Sequence, residues 1–234
     1  MINWRIGGQG WPESALEEQL DLLPGLERNF SDPPEQLTLE RGWHQYSSES
    51  VIAEGRPGLP EENDFFERGH AAITNYEFSD PRIVIAHFDP GLPLMGRHIL
   101  LEMRALRFLH YLTGVVVGDV RSEQREDKTV FGFRYDTLEG HIERGAEWFL
   151  LTKNHHTGEI RFRIEAGWRP GQFPNWWSRF GFFLLGRHYQ KLWHKRAHQL
   201  MSEIVHGSAS STLEQGTGKL VHSGPEVIFK RSKA

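Results

Sequence analysis

Apolar and polar residues alternate along three segments in the middle of the chain, and this alternation predicts strands. The segments are 98–105, 131–135 and 160–166, and the last has the most regular pattern. Alternation places the apolar side chains on one face of each strand. The breaks at 138–141 and 154–158 contain glycine and are short enough for hairpin turns. These segments therefore predict an antiparallel meander with one buried face.

Apolar residues at helical spacing predict three helices around the meander. The first covers about 15–23, before Pro24 and Gly25, and the second covers 65–76. The third is a long amphipathic helix whose apolar residues recur from Tyr189 to Ile204, with Gly207 at its C-terminal cap. This order predicts an α+β fold in which a curved antiparallel sheet wraps the final helix. We expect a cavity between sheet and helix, because apolar pockets with a few polar groups are common small-molecule sites.

The two ends of the chain differ in composition from the middle and predict three regions. They are an N-terminal extension with a short helix at 1–40, the α+β domain at 41–206, and a flexible tail at 207–234. Small polar residues fill most of the tail, and a short apolar patch at 227–229 is expected to dock. Residues 1–69 hold 5 basic and 14 acidic residues, so an acidic front segment is expected to lie on a mildly basic body.

The composition of the 234-residue chain is that of a globular protein, with 38% hydrophobic and 25% charged residues. The complete absence of cysteine excludes disulfides, thiolate metal sites, iron–sulfur clusters and thiol nucleophiles. No apolar stretch approaches the ~20 residues that span a bilayer. The first residues also lack the apolar block of a secretory signal, so a cytoplasmic location is the expectation.

Two segments of the meander resemble a known protein family. The run 131–149, FGFRYDTLEGHIERGAEWF, resembles a signature of approximately GFxYGTLxGHxExGEExF in the domain-of-unknown-function nineteen-ninety family. The run 162–170, FRIEAGWRP, looks like that family's strand ending in Ser-Arg-Pro, and 64–72 is similar to its first helix. The resemblance covers about residues 43–204. It implies a helix-grip fold like that of START and polyketide-cyclase proteins, and it implies no established activity.

This chain departs from the family signature at several positions and is identified as a divergent member. Asp136 stands where the family usually has Gly, and Glu139 and Ile142 stand where it has Pro. Ala146 replaces the first Glu of the Glu-Glu pair, so any role of a carboxylate at 146 is absent here. Gly167 and Trp168 replace Phe-Ser.

Eight residues form the candidate ligand site. They are aromatic and polar residues of the meander: Phe131, Phe133, Tyr135, Thr137, His141, Glu143, Glu147 and Arg169. Tyr135 and Thr137 are separated from the two phenylalanines by even numbers of residues and are therefore expected to point to the same face of the strand. Glu147 is expected to point to this face from the next strand. A carboxyl group that faces an apolar interior has a raised pKa unless a cation such as Arg169 pairs with it.

The residues leave three roles open for this cluster. In the first, His141 and Glu143 lie in an exposed hairpin turn, and Thr137 and Glu147 hydrogen-bond to its backbone. In the second, the polar groups anchor a bound carbonyl compound. In the third, the His, Glu and Tyr side chains supply acid–base catalysis. Turn fixing is favoured for the cluster itself, and binding is favoured over catalysis.

The 13 histidines raise the question of a metal site. His194 and His198 are at helical spacing, but their angular positions predict that both face water. The chain has no His-Glu-x-x-His motif. We therefore predict no metal site and no cofactor.

The final helix carries an excess of basic residues, Arg179, Arg187, Lys191, Lys195 and Arg196. A surface of this kind is typical of membrane-surface or nucleic-acid binding, or of an ordinary solvated helix face. The solvated face is favoured, and nucleic acid is not an expected partner, because the formal net charge is −4 and no nucleic-acid motif accompanies the helix. Trp176, Trp177 and the aromatic run 180–183 are expected to close the open end of the sheet, as core or as a lid.

These observations lead to one main hypothesis and two alternatives. The main hypothesis is a cytoplasmic helix-grip protein that binds an apolar or lipid-like small molecule between the sheet and the final helix. The first alternative is a hydrolase or cyclase-like enzyme in which Glu147 or His141 is the acid–base group and Tyr135 and Arg169 polarise the substrate. The second is an interaction module that uses the basic helix. The sequence predicts no oligomeric state.

Overall fold

The computed structural model describes residues 3–7, 10–105, 109–171, 187–207 and 225–232. Three α-helices lie in this part of the chain: α1 (Glu13–Leu22), α2 (Phe65–Thr74) and α3 (Arg187–Val205). It also contains the strands β1 (Asn3–Ile6), β2 (His44–Glu54), β3 (Val84–His87), β4 (His98–Ala105), β5 (Leu109–Gln124), β6 (Lys128–Thr137), β7 (Glu143–Asn154), β8 (Glu159–Pro170) and β9 (Ile228–Ser232). Among the described helices, none has the length and apolar character needed to cross a membrane.

The described strands form one antiparallel sheet with the order β3-β4-β5-β6-β7-β8-β2-β9, and β1 pairs with β5. Strands β3 to β8 are a meander, because each pairs with the next along the chain. The β2 strand, which precedes α2, pairs with β8 and so brings a segment from the start of the domain beside its last meander strand. The predicted meander is confirmed.

The concave face of the sheet packs against α2 and α3. Trp193, Ala197, Met201 and Val205 of α3 are buried in the main core together with the apolar residues of the meander. The predicted fold class, a curved antiparallel sheet that wraps a long C-terminal helix, is confirmed. Gly207 follows α3 with φ +74°, a left-handed conformation that favours glycine, and its N–H donates to the carbonyl of Ile204 at 3.0 Å.

The opposite face of the sheet is covered by the N-terminal segment. Leu23, just after α1, is buried against Leu100, Leu112 and Leu138 of the sheet and its β6–β7 turn. The sheet is therefore buried on both faces near β4 and β5, and the main core and the α1 cluster lie on opposite sides of it.

The structure adds a strand at each end of the chain that the sequence pattern does not predict. In the 1–40 region, β1 pairs with residues 109–112 of β5. In the 207–234 region, β9 pairs with β2, so the apolar patch at 227–229 docks on the sheet edge as expected. Both strands are too short to show a periodic pattern. The division into three regions remains a prediction, and residues 208–224 of the predicted tail lie outside the described part.

Candidate functional site

The candidate site lies in one row of side chains that crosses four strands on the concave face. Tyr135 on β6 pairs directly with Glu147 on β7, Glu147 pairs with Ala166 on β8, and Ala166 pairs with Tyr46 on β2. Cross-strand partners project to the same face of a sheet. The row therefore places a phenol, a carboxyl group, a methyl group and a second phenol side by side.

The packing of the concave face changes at this row. On β8, Ile160, Phe162 and Ile164 are all 0% exposed, whereas Ala166 and Trp168 farther along the same face keep accessible surface. On β6, the change from buried to partly accessible falls between Phe133 and Tyr135. The run of fully buried core side chains on β8 therefore ends at this row, and Ala166 and Trp168 beyond it are partly accessible.

Phe131 and Phe133 lie in the close-packed part, which corrects the expectation that a cavity lies above them. The ring of Phe133 is 5.3 Å from that of Phe149, which is in turn 6.2 Å from Trp193 on α3. The Phe131 ring lies 3.7 Å from the His70 ring on α2. Aromatic side chains thus fill the room between these two phenylalanines and the helices.

Glu147 has the environment of a neutral carboxyl group. It is 8% exposed, and the hydroxyl of Tyr135 donates a hydrogen bond to its Oε2. The pKa of Glu147 is raised to about 8, chiefly by burial; the Tyr135 hydrogen bond lowers this pKa and the nearby Glu143 carboxyl group raises it. The group is therefore protonated at neutral pH and can donate a hydrogen bond.

Glu143, the first residue of β7, also has a raised pKa. Part of its side chain remains accessible, and yet burial raises its pKa to about 7. Tyr135 is also partly accessible, and burial raises its pKa well above the ordinary value. Burial thus favours the neutral form of both groups.

His194 and His198 do not face water as predicted from the helix pattern, and both are 0% exposed. The hydroxyl of Ser48 lies 2.7 Å from Nδ1 of His194 and 2.8 Å from Nε2 of His198. The hydroxyl of Ser50 lies 2.7 Å from Nδ1 of His198. Burial lowers the pKa of His194 to about 3 and that of His198 to about 4, so both rings are neutral.

This hydrogen-bonded chain ends beside the carboxyl group of Glu147. Nε2 of His194 lies 3.7 Å from Oε1 of Glu147, which is beyond hydrogen-bonding distance. Within the described residues this buried nitrogen has no hydrogen-bond partner. The site therefore contains one buried ring nitrogen that has no partner among the described residues and that faces Oε1 of Glu147.

The structure assigns Thr137 and His141 to the β6–β7 turn. Oγ1 of Thr137 accepts from the N–H of Gly145 at 2.9 Å and donates to Asn29 at 2.6 Å. Nδ1 of His141 accepts from the N–H of Glu143 at 3.0 Å. His141 is only 5% exposed, so the turn is not exposed at this residue, and burial lowers its pKa to about 4. Glu147 takes no part in the turn.

Arg169 does not complete the cluster, which corrects the expected pairing with Glu147. It lies opposite Arg144 in the β7–β8 register, and its guanidinium group is 4.3 Å from the Trp43 ring. Its Nε donates to the carbonyl of Gly42 at 3.2 Å. Arg169 thus ties the segment before β2 to β8, and the Glu147 carboxyl group faces His194 in its place.

Several residues of the site do not belong to the set derived from the sequence, namely Tyr46, Ser48, Ser50, Ala166, His194 and His198. A signal existed for the α3 pair, since His194 and His198 continue toward Met201 and Val205 in steps of four, three and four. Tyr46, Ser48 and Ser50 alternate along β2. Hydroxyl-bearing residues at alternate positions resemble the polar face of a strand, and for that reason the pattern did not indicate burial.

Two buried tyrosines allow a matched test of the hydrogen bonds at the edge of the site. The Tyr111 hydroxyl donates to Gly140 O at 3.0 Å and accepts from the N–H of Ile142 at 3.2 Å. Tyr111→Phe is expected to lower the free energy of unfolding by about 1–2 kcal/mol, because it leaves backbone groups of the turn unpaired. The Tyr46 hydroxyl has no partner within the described residues, so Tyr46→Phe is expected to change it by less than about 0.5 kcal/mol. Urea unfolding of both variants checks this, and equal losses would contradict it.

Trp176, Trp177 and residues 180–183, which are predicted to close the open end of the sheet, lie outside the described part of the chain. The basic residue Arg179 lies outside it as well. Within the ranges given above, no three His, Asp or Glu side chains are grouped as they would be around a metal ion. What the described arrangement offers chemically is a set of neutral donors and acceptors at the end of an apolar core. Such a set binds a polar group by hydrogen bonds.

A comparison with protein families matches residues 32–200 to the family model described as Domain of unknown function (DUF1990). This match confirms the resemblance found in the β6–β8 sequence. Among solved structures, the crystal structure of Ara h 8.0201 is similar, with 12% identity and a TM-score of 0.39, over 73% of this chain and 100% of that one. The crystal structure of human STARD10 is also similar, with 10% identity and a TM-score of 0.39, over 88% of this chain and 85% of that one. A search of curated proteins gives no match.

Proposed function

The chain belongs to the DUF1990 family, whose description assigns no activity, and from the geometry of this member we propose that it binds an apolar or lipid-like small molecule between the sheet and α3. The polar group of the ligand meets Tyr135, Glu147 and His194. Its apolar body lies over the accessible part of the concave face, along Ala166 and Trp168.

The observation that carries this proposal is the change of packing along β8. Side chains up to Ile164 are fully buried beneath α3, and side chains from Ala166 onward on the same face are not. The row that begins the accessible part also holds Glu147, whose Oε1 faces an unpaired buried nitrogen of His194 across 3.7 Å. An apolar surface next to a few convergent polar groups is the usual composition of a small-molecule site.

The protonation states favour a ligand with an uncharged polar group. Glu147 and both α3 histidines are neutral at pH 7, because their pKa values are about 8, 3 and 4. Arg169, the cation expected from the sequence, points away toward Trp43. A carboxylate or phosphate group would therefore enter the site without a cation among the described residues that contact Glu147.

Filling the space over Ala166 tests the position of the site. Ala166→Phe is expected to weaken binding of dodecanol at least about tenfold, because the new ring occupies the space between Tyr46 and Glu147. Isothermal titration measures this. Native mass spectrometry of the wild-type protein as purified is expected to show a co-purifying small molecule, which Ala166→Phe lacks.

Thr152→Phe is the matched control, since Thr152 lies on β7 on the opposite face of the sheet and is partly accessible. It is expected to bind dodecanol as the wild-type protein does. Thermal unfolding establishes that both variants are folded. Equal binding by the two variants would place the ligand elsewhere and contradict the proposed site.

A further inference from the structure

We propose that the ligand binds through a hydroxyl group held between Glu147 Oε1 and His194 Nε2, and that the proton on Glu147 sets, through the buried chain of Ser48, His198 and Ser50, the tautomer that the two histidines share. This inference rests on the proposed function and specifies the chemical class of its ligand, an apolar alcohol.

The chain of hydrogen bonds forces the two histidines into the same tautomer. The Ser48 hydroxyl has one proton and lies between Nδ1 of His194 and Nε2 of His198. If it donates to His194, His198 must carry its proton on Nε2, and His194 then carries its own proton on Nε2 as well. If it donates to His198, both rings carry the proton on Nδ1. The Ser50 hydroxyl donates to Nδ1 of His198 in the first case and accepts from it in the second.

The proton on Glu147 decides between these two states. Oε2 of Glu147 accepts the hydrogen bond from Tyr135. The carbonyl oxygen is the better acceptor of a neutral carboxyl group, so we assign the proton to Oε1. Oε1 then faces His194 as a donor, and the matching state of His194 has a free lone pair on Nε2. Both histidines are therefore Nδ1–H tautomers while Glu147 is protonated.

A hydroxyl group is the ligand group that fits this pair. It accepts from Glu147 Oε1 and donates to His194 Nε2 at the same time. An ether or ketone oxygen cannot donate to Nε2, and an ammonium group cannot accept from Oε1. A carboxylate can accept a hydrogen bond from Oε1 but cannot donate one to Nε2. Its burial is also unfavourable, because no cation among the described residues that contact Glu147 would pair with its charge.

Raising the pH above the pKa of Glu147 is expected to reverse the direction of the hydrogen bonds that join Ser48, Ser50 and the two histidines. The titratable groups that face Glu147 are Tyr135 from β6, Tyr76 after α2, Tyr46 from β2, Glu143 from its own strand and His194 from α3. The tyrosines stay protonated because burial raises their pKa values. Ionised Oε1 can only accept, and its negative charge favours the His194 tautomer that carries the proton on the facing Nε2. Both histidines are then expected to become Nε2–H tautomers.

Nitrogen-15 NMR of the histidine rings tests the chain in the protein without added ligand, from well below to well above the pKa of Glu147. Both rings are expected to change together from Nδ1–H to Nε2–H. In Glu147→Gln, the amide oxygen accepts from Tyr135 and the amide nitrogen donates toward His194, so both rings are expected to stay Nδ1–H throughout. Opposite tautomers in the two rings, or the same change in Glu147→Gln, would overturn the inference.

A set of dodecyl compounds tests the hydroxyl group in the wild-type protein. Dodecanol is expected to bind about tenfold more tightly than dodecyl methyl ether, dodecanoate or dodecylamine. Equal binding of the ether would overturn the hydroxyl inference and leave the proposed function standing. Failure of all four compounds to bind would instead overturn the proposed function. The NMR test of the histidine tautomers uses the protein without added ligand, so its result does not depend on that outcome.

Discussion

The free energy of unfolding is expected to reach its maximum between about pH 6 and about pH 7 and to fall on both sides. Two kinds of buried groups produce this result. Histidines with lowered pKa values destabilise the folded protein in acid, and carboxyl groups with raised pKa values destabilise it in alkali.

The acid side follows from His141, His194 and His198, whose pKa values burial lowers to about 4, 3 and 4. Below the ordinary histidine pKa of about 6.5, the unfolded chain binds protons that the folded protein cannot bind. Stability therefore falls as the pH falls through that value and continues to fall toward the folded-state values. We expect a loss of roughly 3–5 kcal/mol between about pH 6.5 and about pH 4.

The alkaline side follows from Glu143 and Glu147, whose pKa values burial raises to about 7 and about 8. Above the ordinary carboxyl pKa, the folded protein holds protons that the unfolded chain has lost, so stability falls as the pH rises through the folded-state values. The expected loss is roughly 1–2 kcal/mol between about pH 6.5 and about pH 9.

Urea unfolding at a series of pH values measures this profile. Glu147→Gln removes one of the two groups responsible for the alkaline loss and is expected to reduce that loss by at least half. It is also expected to steepen the loss on the acid side, because the raised pKa of Glu147 opposes that loss down to the ordinary carboxyl pKa. A flat profile between about pH 4 and about pH 9 would show that the histidines and carboxyl groups are solvated, contrary to the structure.

Ser48→Ala is expected to lower the free energy of unfolding by about 2–4 kcal/mol. Its hydroxyl is the shared partner of two buried ring nitrogens, and each nitrogen left without a partner costs about 1–3 kcal/mol. The removed atom is small, so lost packing contributes little. Chemical denaturation at neutral pH measures the difference from the wild-type protein.

Ser47→Ala is the matched control, because the side chain of Ser47 points to the other face of β2 and remains partly accessible. Its effect is expected to stay below about 0.5 kcal/mol. Similar losses in the two variants would mean that the histidines find other partners, and the buried chain would then not be a stabilising feature.

The sequence pattern predicts most of the fold because strands and helices are local. Alternation over 160–166 identifies β8, and steps of three and four identify α3, since each depends on neighbours along the chain. The short edge strands β1 and β9 exist only through their pairing with β5 and β2. A strand of four or five residues is too short to show a recognisable alternation of apolar and polar residues, so the sequence does not predict such pairing.

The candidate site is predicted only in part, for a related reason. The parity of Tyr135 and Glu147 is a local property, and these two residues do meet. Arg169, the expected partner of Glu147, lies on the neighbouring strand β8 but pairs with Arg144 and not with Glu147. Its guanidinium group contacts Trp43 and the carbonyl of Gly42. The predicted exposure of His198 is wrong because the angular pattern of a helix does not reveal which polar groups the facing strand presents.

The sequence by itself determined the three helices, the central antiparallel meander, the α+β class, the family and the carboxyl and phenol groups of one strand pair. Only the tertiary structure decided that Ser48 meets His198, 150 residues away along the chain. Burial of polar groups is stable only when each finds a partner, and such partners come from elements that are distant in sequence. For the same reason, the neutral state of Glu147 belongs to the folded protein and not to the residue, since desolvation by the assembled sheet and helix produces it.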